Sequence, residues 1–216
     1  MSQSIPHQYI CIEGNIGAGK TTLCQRLAQD FNCNLVLEEF TDNPFLPHFY
    51  KDPDRFALPL ELFFMTERHK QLEKSLIHQD LFHEFIVADY FFLKTLLFAK
   101  NNLKEDEYRL FQRMFFTLAN NFPNPDLLIY LHRSPANLLK NIAQRGRQFE
   151  AEIQLNYLQA LQDIYFEYFR SEVSFPIIIL DADRLDFLSN DADYDEVKNL
   201  ITRTYQPGVH RIQLIN

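Results

Sequence analysis

The fold of this chain is decided by one short segment, Gly14-Asn15-Ile16-Gly17-Ala18-Gly19-Lys20-Thr21. The segment matches the pattern GxxxxGK(S/T) in full, and it lies between a β-branched run at 9–12 and a stretch with helical periodicity. Glycines let such a loop curl until its backbone N–H groups point inward at phosphate oxygens, and the N-terminus of the following helix adds positive potential. The pattern therefore predicts a phosphate-binding loop, or P-loop, between a strand and a helix.

The residues of this loop have separate expected roles. Lys20 is expected to reach the β- and γ-phosphates of a nucleotide, and the Thr21 hydroxyl is expected to ligate Mg²⁺. The backbone and side chains that we expect to bind the nucleotide are those of Gly14, Asn15, Gly17, Ala18, Gly19, Lys20, Thr21 and Thr22. ATP and Mg²⁺ are thus the expected cofactors.

The rest of the chain alternates between apolar runs and helical patterns. The runs lack the polar alternation of half-exposed strands, as expected for a parallel sheet covered on both faces, and they lie at 9–12, 35–37, 85–88, 127–131 and 177–180. Helical periodicity occupies 21–31, 53–77, 105–122, 135–145 and 151–171. This order predicts an α/β fold, a doubly wound five-stranded parallel sheet flanked by helices, in one domain spanning 1–216. The segment after Pro207 reads equally well as a strand or as a loose end.

Composition restricts the partners of the chain. A formal net charge of −8 argues against a surface that neutralises a nucleic-acid backbone. No apolar run reaches the roughly 18 residues that a membrane span requires. The three cysteines, Cys11, Cys24 and Cys33, have no metal-binding spacing and are interpreted as reduced thiols of a cytoplasmic protein. We therefore expect small-molecule partners, with no nucleic acid and no membrane.

Several polar residues fall where a phosphate-transfer site would need them. The N-K-x-D motif of GTP-binding switches is absent, which leaves mainly small kinases that act on nucleosides, nucleotides and similar acceptors. Glu38 follows the second apolar run, at the edge where open α/β sheets gather ligands, and it could accept the proton of an acceptor hydroxyl. By pattern alone, Asp89 and Asp181 compete for the role of a second, metal-binding carboxylate. Arg145 and Arg147 fit a phosphate-binding lid and a solvated helix end equally well.

Three motifs in this order and spacing resemble the deoxynucleoside kinase family. They are GNIGAGKTT at 14–22, LEEFTDNPFLPHFYKDP at 37–53 and RGRQFE at 145–150, which is similar to the lid of that family. The resemblance extends from Tyr9 to about Phe187 and so covers most of the chain. It implies a P-loop NTPase-like fold with a lid loop.

The resemblance also implies catalytic roles for single residues. Glu38 matches the general base of the family, although the residue that follows it is Glu39 rather than proline. Asp89 matches the family acid that follows the third strand and holds Mg²⁺. Tyr90 replaces the family arginine after that acid, and Lys94, about one helical turn on, is a candidate substitute. The catalytic set implied by the resemblance is Glu38, Lys20, Arg145 and Arg147.

The resemblance also implies which residues bind the acceptor nucleoside and which lie beside the adenine of ATP. Tyr50 and Glu150 match residues that hold the sugar 3′-hydroxyl, and Glu61 stands where many members have a base-reading glutamine. The remaining matches are Arg68 on the same helix face as Glu61, Phe98 stacking on the acceptor base, and Asp186 with Phe187 beside the adenine of ATP. Because a carboxylate only accepts hydrogen bonds, Glu61 suits guanine and tolerates an exocyclic amino group.

The expected activity is ATP-dependent 5′-phosphorylation of a deoxynucleoside in nucleotide salvage. The resemblance implies a purine acceptor, with deoxyadenosine favoured and deoxyguanosine next, and a homodimer. Two alternatives stay open: a nucleoside monophosphate kinase that resembles thymidylate kinase, and a nucleotide-binding regulatory protein without acceptor chemistry.

Overall fold

The structure is a computed structural model that describes residues 5–39, 43–77, 82–120, 122–172 and 174–214. One sheet of six parallel strands has the order β2-β3-β1-β4-β5-β6. The strands are β1 Tyr9–Gly14, β2 Cys33–Val36, β3 Phe85–Ala88, β4 Leu127–His132, β5 Pro176–Asp181 and β6 Gly208–Gln213. Strands β3 and β2 lie on one side of β1, and β4, β5 and β6 lie on the other, so the carboxyl end of β1 lies at the switch point where open α/β sheets bind ligands.

Helices cover both faces of this sheet. They are α1 Lys20–Asp30, α2 Leu46–Phe49, α3 Pro53–Leu72, α4 Lys94–Asn102, α5 Glu105–Ala119, α6 Pro135–Arg145, α7 Leu155–Ser171 and α8 Asp191–Ile201. A π-helical turn at Glu73–Ile77 continues α3, and a 3₁₀ turn at Gln148–Glu150 follows α6. The doubly wound parallel fold is therefore confirmed. In the part of the chain described here, no helix combines the length and the apolar character that crossing a membrane would take.

Alternate side chains of each strand pack against opposite helix layers. From β1, Ile10 and Ile12 join a buried cluster with side chains of α1, α6 and α8. Tyr9 and Cys11 point the other way and pack with α3, α4, α5 and α7. Because successive strand residues face opposite sides and both sides are covered, the central strands are apolar throughout.

The prediction of five strands was wrong by one, because β6 adds a sixth at the edge beside β5. Its sequence, GVHRIQ, alternates between half-buried and exposed residues, so it lacks the continuous apolar run of the five buried strands. The second strand lies at Cys33–Val36 rather than 35–37. Residues 40–42, within the 37–53 motif, lie outside the described residues.

Three helices were missed, and three of the predicted helical ranges are longer than the α-helices that form there. The missed helix α4 buries residues on several sides, including Lys94, Thr95 and Leu97, so its sequence has little amphipathic periodicity. The missed helix α8 does carry a start signal, since the Asn190 side chain accepts a hydrogen bond from the Ala192 N–H. The third missed helix is the short α2.

The helical ranges expected at 53–77, 105–122 and 151–171 instead give α-helix at Pro53–Leu72, Glu105–Ala119 and Leu155–Ser171.

We expect substitution of Leu27 by alanine to test the core beneath the P-loop helix. Leu27 of α1 is 0% exposed, and its removal leaves a cavity that costs about 2–5 kcal/mol in free energy of unfolding. Leu188, which is 67% exposed, provides the matched control. Leu188→Ala should change the free energy of unfolding by less than about 0.5 kcal/mol in the same urea titration. Equal losses in the two variants would contradict the assignment of the core.

Candidate active site

The P-loop occupies the carboxyl end of β1 and opens directly into α1. Gly17 and Gly19 have positive φ angles of 82° and 96°, a region that side chains with a Cβ rarely enter. A Cβ at Gly17 would lie 2.9 Å from the Leu138 carbonyl oxygen, and one at Gly19 would lie 3.0 Å from the Phe187 ring. The loop therefore requires glycine at both positions for its conformation and for its close packing.

Lys20 and Thr21 project from the start of α1. Lys20 Nζ donates hydrogen bonds to the carbonyl oxygens of Gly14 and Asn15, at 2.9 and 3.0 Å. Burial, with the nearby Lys94 ammonium, lowers the pKa of Lys20 to about 8. Thr21 Oγ1 donates to Asp89 Oδ2 at 2.5 Å, so the carboxylate after β3 lies against the P-loop hydroxyl.

A cavity extends from the P-loop between α3, α4 and the loop after α6. The structure brings twelve of the predicted site residues into its wall: Gly17, Lys20, Thr21, Glu38, Tyr50, Glu61, Arg68, Asp89, Phe98, Arg145, Arg147 and Glu150. These residues come from widely separated parts of the chain, so the fold creates the site.

Glu38 lies between two buried cations. Its Oε1 accepts a hydrogen bond from Arg68 Nε at 2.8 Å, and its Oε2 accepts one from Lys94 Nζ at 2.6 Å. The side chains of Arg68 and Lys94 are only 3% and 4% exposed. Burial by itself raises the pKa of Glu38, but Lys94 and Arg68 outweigh it and hold that pKa well below its usual range. Glu38 is thus a stable carboxylate.

The backbone around Glu38 fixes which of the two neighbouring glutamates faces the cavity. The N–H of Glu38 donates to Asp89 Oδ1 at 2.7 Å. Glu39 is exposed and lines a different groove along the β2 edge. This orientation supports the prediction that Glu38, rather than Glu39, is the glutamate of the site.

The far end of the cavity is aromatic and ends in a second buried glutamate. Glu61 is 1% exposed, and its Oε1 accepts a hydrogen bond from Asn102 Nδ2 at 2.6 Å. Its Oε2 accepts no hydrogen bond from any described residue. Burial raises the pKa of Glu61 to about 7, although Arg68 and the Asn102 hydrogen bond oppose the shift. Phe98 lines the same part of the wall.

The two arginines predicted to form a lid, Arg145 and Arg147, are paired with Glu150. Arg145 Nη2 lies 2.5 Å from Glu150 Oε2, and Arg147 Nη1 lies 3.3 Å from Glu150 Oε1. Gly146 between them has a φ of 69° and ends α6 in the left-handed conformation that glycine favours. In this structure, the two predicted lid cations thus share the carboxylate of the predicted sugar ligand Glu150, while Tyr50 lines the cavity nearby.

Other predicted nucleotide-binding residues lie around the cavity rather than in its wall. The Asn15 side chain donates to the Leu158 carbonyl oxygen at 2.8 Å and so anchors the P-loop to α7. Phe187 is buried against Gly19, and Asp186 Oδ1 accepts hydrogen bonds within its own turn, from the N–H groups of Leu188 and Ser189. Gly14, Ala18, Gly19 and Thr22 belong to the same group, as parts of the loop and the first turn of α1.

Sequence reasoning missed a buried carboxylate directly before the P-loop. Glu13 is fully buried, its Oε2 accepts hydrogen bonds from the Gly14 N–H and the Tyr165 hydroxyl, and its Oε1 accepts one from the Phe91 N–H. It therefore ties the P-loop to the loop after β3 and to α7. A single acid in an otherwise apolar strand was the signal that could have revealed it. Asn102 and Tyr157, which also line the cavity, carried no such signal.

We expect Glu38→Gln to destabilise the protein, because the neutral amide leaves Arg68 and Lys94 buried without a counter-charge. The loss should be about 3 kcal/mol in free energy of unfolding at pH 7. The pKa of folded Glu38 lies below the unfolded value of about 4.3, so its stabilising effect is complete above that pH and is lost as the pH falls. The difference between wild type and variant should therefore shrink below about pH 4. Glu39→Gln is the exposed control, and a difference that is constant with pH would contradict the ion cluster.

Comparison with known proteins agrees with this geometry. The Deoxynucleoside kinase family matches residues 10–205. The deoxyguanosine kinase of Bacillus subtilis is 33% identical over 88% of this chain and 93% of its own length, and the deoxyadenosine kinase of Dictyostelium discoideum is 32% identical over 94% and 82%. The solved structure of deoxyadenosine kinase from M. mycoides with bound dATP has a TM-score of 0.77 at 25% identity, covering 90% of this chain and 100% of that one. The chain belongs to the deoxynucleoside kinase family and is a phosphotransferase.

Proposed function

We propose that this enzyme transfers the γ-phosphate of ATP to the 5′-hydroxyl of a purine deoxynucleoside. One observation carries the proposal. A single cavity has the P-loop and the carboxylates of Glu38 and Asp89 at one end and an aromatic, buried pocket that closes on Glu61 at the other. Such a cavity suits an acceptor with a reactive hydroxyl at one end and a planar base at the other.

The residues present fit Mg²⁺ at the P-loop. Thr21 Oγ1 and Asp89 Oδ2 are adjacent oxygen donors, which are the ligands that Mg²⁺ prefers. Within the described parts of the chain there is no group of three or more histidine, cysteine or acidic side chains that could hold a metal. Thr21 and Asp89 would therefore hold the ion together with phosphate oxygens and water. When bound, Mg²⁺ supplies charge neutralisation on the phosphates.

Glu38 is the proposed general base, and its strong ion pairs define how it acts. A carboxylate with a lowered pKa is always ready to accept a hydrogen bond, so it orients the 5′-hydroxyl and takes the proton late in transfer. Lys94 lies beside it and provides the cation that Tyr90 cannot. The Tyr90 hydroxyl donates to Gln71 Oε1 instead, at 2.7 Å.

Lid closure would exchange partners around Glu150. In the proposed sequence, phosphate oxygens attract Arg145 and Arg147 away from Glu150, since charged bidentate hydrogen bonds to phosphate are strong. Release of Glu150 makes its carboxylate available, together with Tyr50, to the sugar 3′-hydroxyl. Asp186 and Phe187 stay proposed neighbours of the ATP adenine, beside Gly19.

The acceptor base is proposed to stack on Phe98 and to meet Glu61. Arg68, predicted to help read the base, bonds to Glu38 and lies 5.9 Å from the Phe98 ring centroid. The order of preference, deoxyadenosine before deoxyguanosine, stays a prediction. It requires Glu61 to donate a hydrogen bond, because the adenine edge presents an acceptor beside its amino group.

The geometry favours a nucleoside acceptor over a nucleoside monophosphate. A phosphate on the acceptor would need cations near its binding position, but Arg68 and Lys94 are already committed to Glu38. A regulatory protein without acceptor chemistry has no use for a carboxylate held charged at this end of the cavity.

Three broader expectations remain proposals. We infer one domain, because a single sheet contains strands from Tyr9 to Gln213. A homodimer is supported by Leu110 and Met114, exposed apolar side chains one turn apart on α5. A cytoplasmic location is supported by the three cysteines, which are all buried and unpaired.

The proposal predicts that Glu38→Gln lowers kcat by a factor of about 10²–10⁴ with little change in the affinity for ATP. Glutamine keeps the shape of the side chain but cannot accept the proton. Rates should be measured with deoxyadenosine, deoxyguanosine, deoxycytidine, thymidine and a deoxynucleoside monophosphate, for variant and wild type.

Glu39→Gln is the matched control for this substitution and should change kcat very little. Circular dichroism should confirm that both proteins are folded at the assay temperature, because Glu38→Gln is expected to lose stability. A severe loss in Glu39→Gln alone would overturn the assignment of the base. A wild type that prefers the monophosphate would overturn the proposed function.

A further inference from the structure

We infer that Glu61 selects between the two purines by its protonation state, binding adenine as a neutral carboxyl and guanine as a carboxylate. The inference rests on the proposed function, because it concerns the base of the same acceptor. It adds that the substrate preference is a function of pH rather than a fixed property of the pocket.

The hydrogen bonds of Glu61 leave its Oε2 and a second lone pair on its Oε1 for contact with a base. Oε1 is held by Asn102 Nδ2 at 2.6 Å, which fixes the plane of the carboxyl group. Oε2 is buried in the wall of the cavity without a hydrogen-bond partner among the described residues. A buried oxygen without a partner is costly, so a ligand that supplies one gains affinity and specificity.

The charged and titratable groups around Glu61 come from every element packed against it. They are Arg68 on α3, Glu38 after β2, Lys94 on α4, Tyr50 after α2 and Tyr157 on α7, with Asn102 of α4 as the neutral hydrogen-bond partner. The two cations pair with Glu38, not with Glu61. Among the residues that the structure describes, Glu61 therefore has no ion pair of its own, and its pKa of about 7 is consistent with that buried position.

The two protonation states of Glu61 complement different base edges. Neutral Glu61 donates from one oxygen and accepts at the other, which matches the ring nitrogen and the amino group of adenine. Charged Glu61 only accepts, and its oxygens carry about four lone-pair positions, enough for Asn102 and for the two donors of guanine. Deoxyadenosine should thus take up a proton when it binds to the charged form, and deoxyguanosine should release one from the neutral form.

The preference for deoxyadenosine over deoxyguanosine should weaken as the pH rises. As the pH rises, the ratio of neutral to charged Glu61 falls tenfold per unit, so the ratio of kcat/KM for deoxyadenosine to kcat/KM for deoxyguanosine should fall by about tenfold per pH unit. Groups that titrate elsewhere in the enzyme affect both substrates alike and cancel in this ratio. The measurement should cover pH 6 to 8.5 with ATP and Mg²⁺ held saturating.

Glu61→Gln is the decisive variant, because an amide presents a donor and an acceptor at every pH. In this variant, the ratio of kcat/KM for deoxyadenosine to kcat/KM for deoxyguanosine should favour deoxyadenosine and should not change with pH. In Glu39→Gln, the same ratio should fall with pH as it does in the wild type. Calorimetry in two buffers of different ionisation enthalpy provides a second readout. Deoxyadenosine binding to the wild type at pH 8 should take up close to one proton, and binding to Glu61→Gln should take up none.

A wild-type ratio that does not change with pH, with both purines phosphorylated, overturns the inference and leaves the proposed function intact. Since the wild type alone gives this result, a variant that fails to fold cannot obscure it. If no deoxynucleoside binds or is phosphorylated at any pH, the proposed function fails and the inference fails with it.

Discussion

The site depends on the ion cluster in which the Glu38 carboxylate lies between Arg68 and Lys94. Two cations that are almost fully buried would be costly without a counter-charge, so the ends of β2, α3 and α4 must meet where Glu38 can form an ion pair with each of them. The cluster continues to the P-loop, because the Glu38 N–H binds Asp89 and Asp89 accepts a hydrogen bond from Thr21. One connected network thus sets the position of the Glu38 carboxylate, the proposed general base, relative to the P-loop.

The same two cations explain why the pKa values of two buried glutamates in one cavity shift in opposite directions. Glu38 takes both ion pairs and stays charged, whereas Glu61 is left with burial as the dominant influence and one neutral hydrogen bond. Glu38, the proposed general base, therefore has a lowered pKa, and Glu61, the residue proposed to contact the nucleobase, has a raised pKa. Both shifts arise from one local charge distribution. This division is a property of the fold, since the two residues lie on different elements.

Local sequence patterns were enough to predict the P-loop and the buried strands, because both are specified by neighbouring residues. The positions of Glu38 and Glu61 in the cavity could also be predicted, once a resemblance supplied their roles. The choice between Asp89 and Asp181 could not be made from pattern, because both follow apolar strands. The resemblance favoured Asp89, and the fold places Asp89 against Thr21. The pairing of Glu150 with the lid arginines was also not predictable, since no pattern indicates which partners a charged loop takes. Helix α4 escaped detection because burial on several sides removes the periodicity that reveals amphipathic helices.

A crystal structure with deoxyadenosine bound would test the central claim most directly, since that claim is the position of the acceptor hydroxyl. The account predicts the 5′-hydroxyl oxygen at about 2.6–3.2 Å from a Glu38 carboxylate oxygen, with the base against Phe98 and its edge toward Glu61. A nucleoside bound in the reverse direction, or with its 5′-hydroxyl out of reach of Glu38, would contradict it.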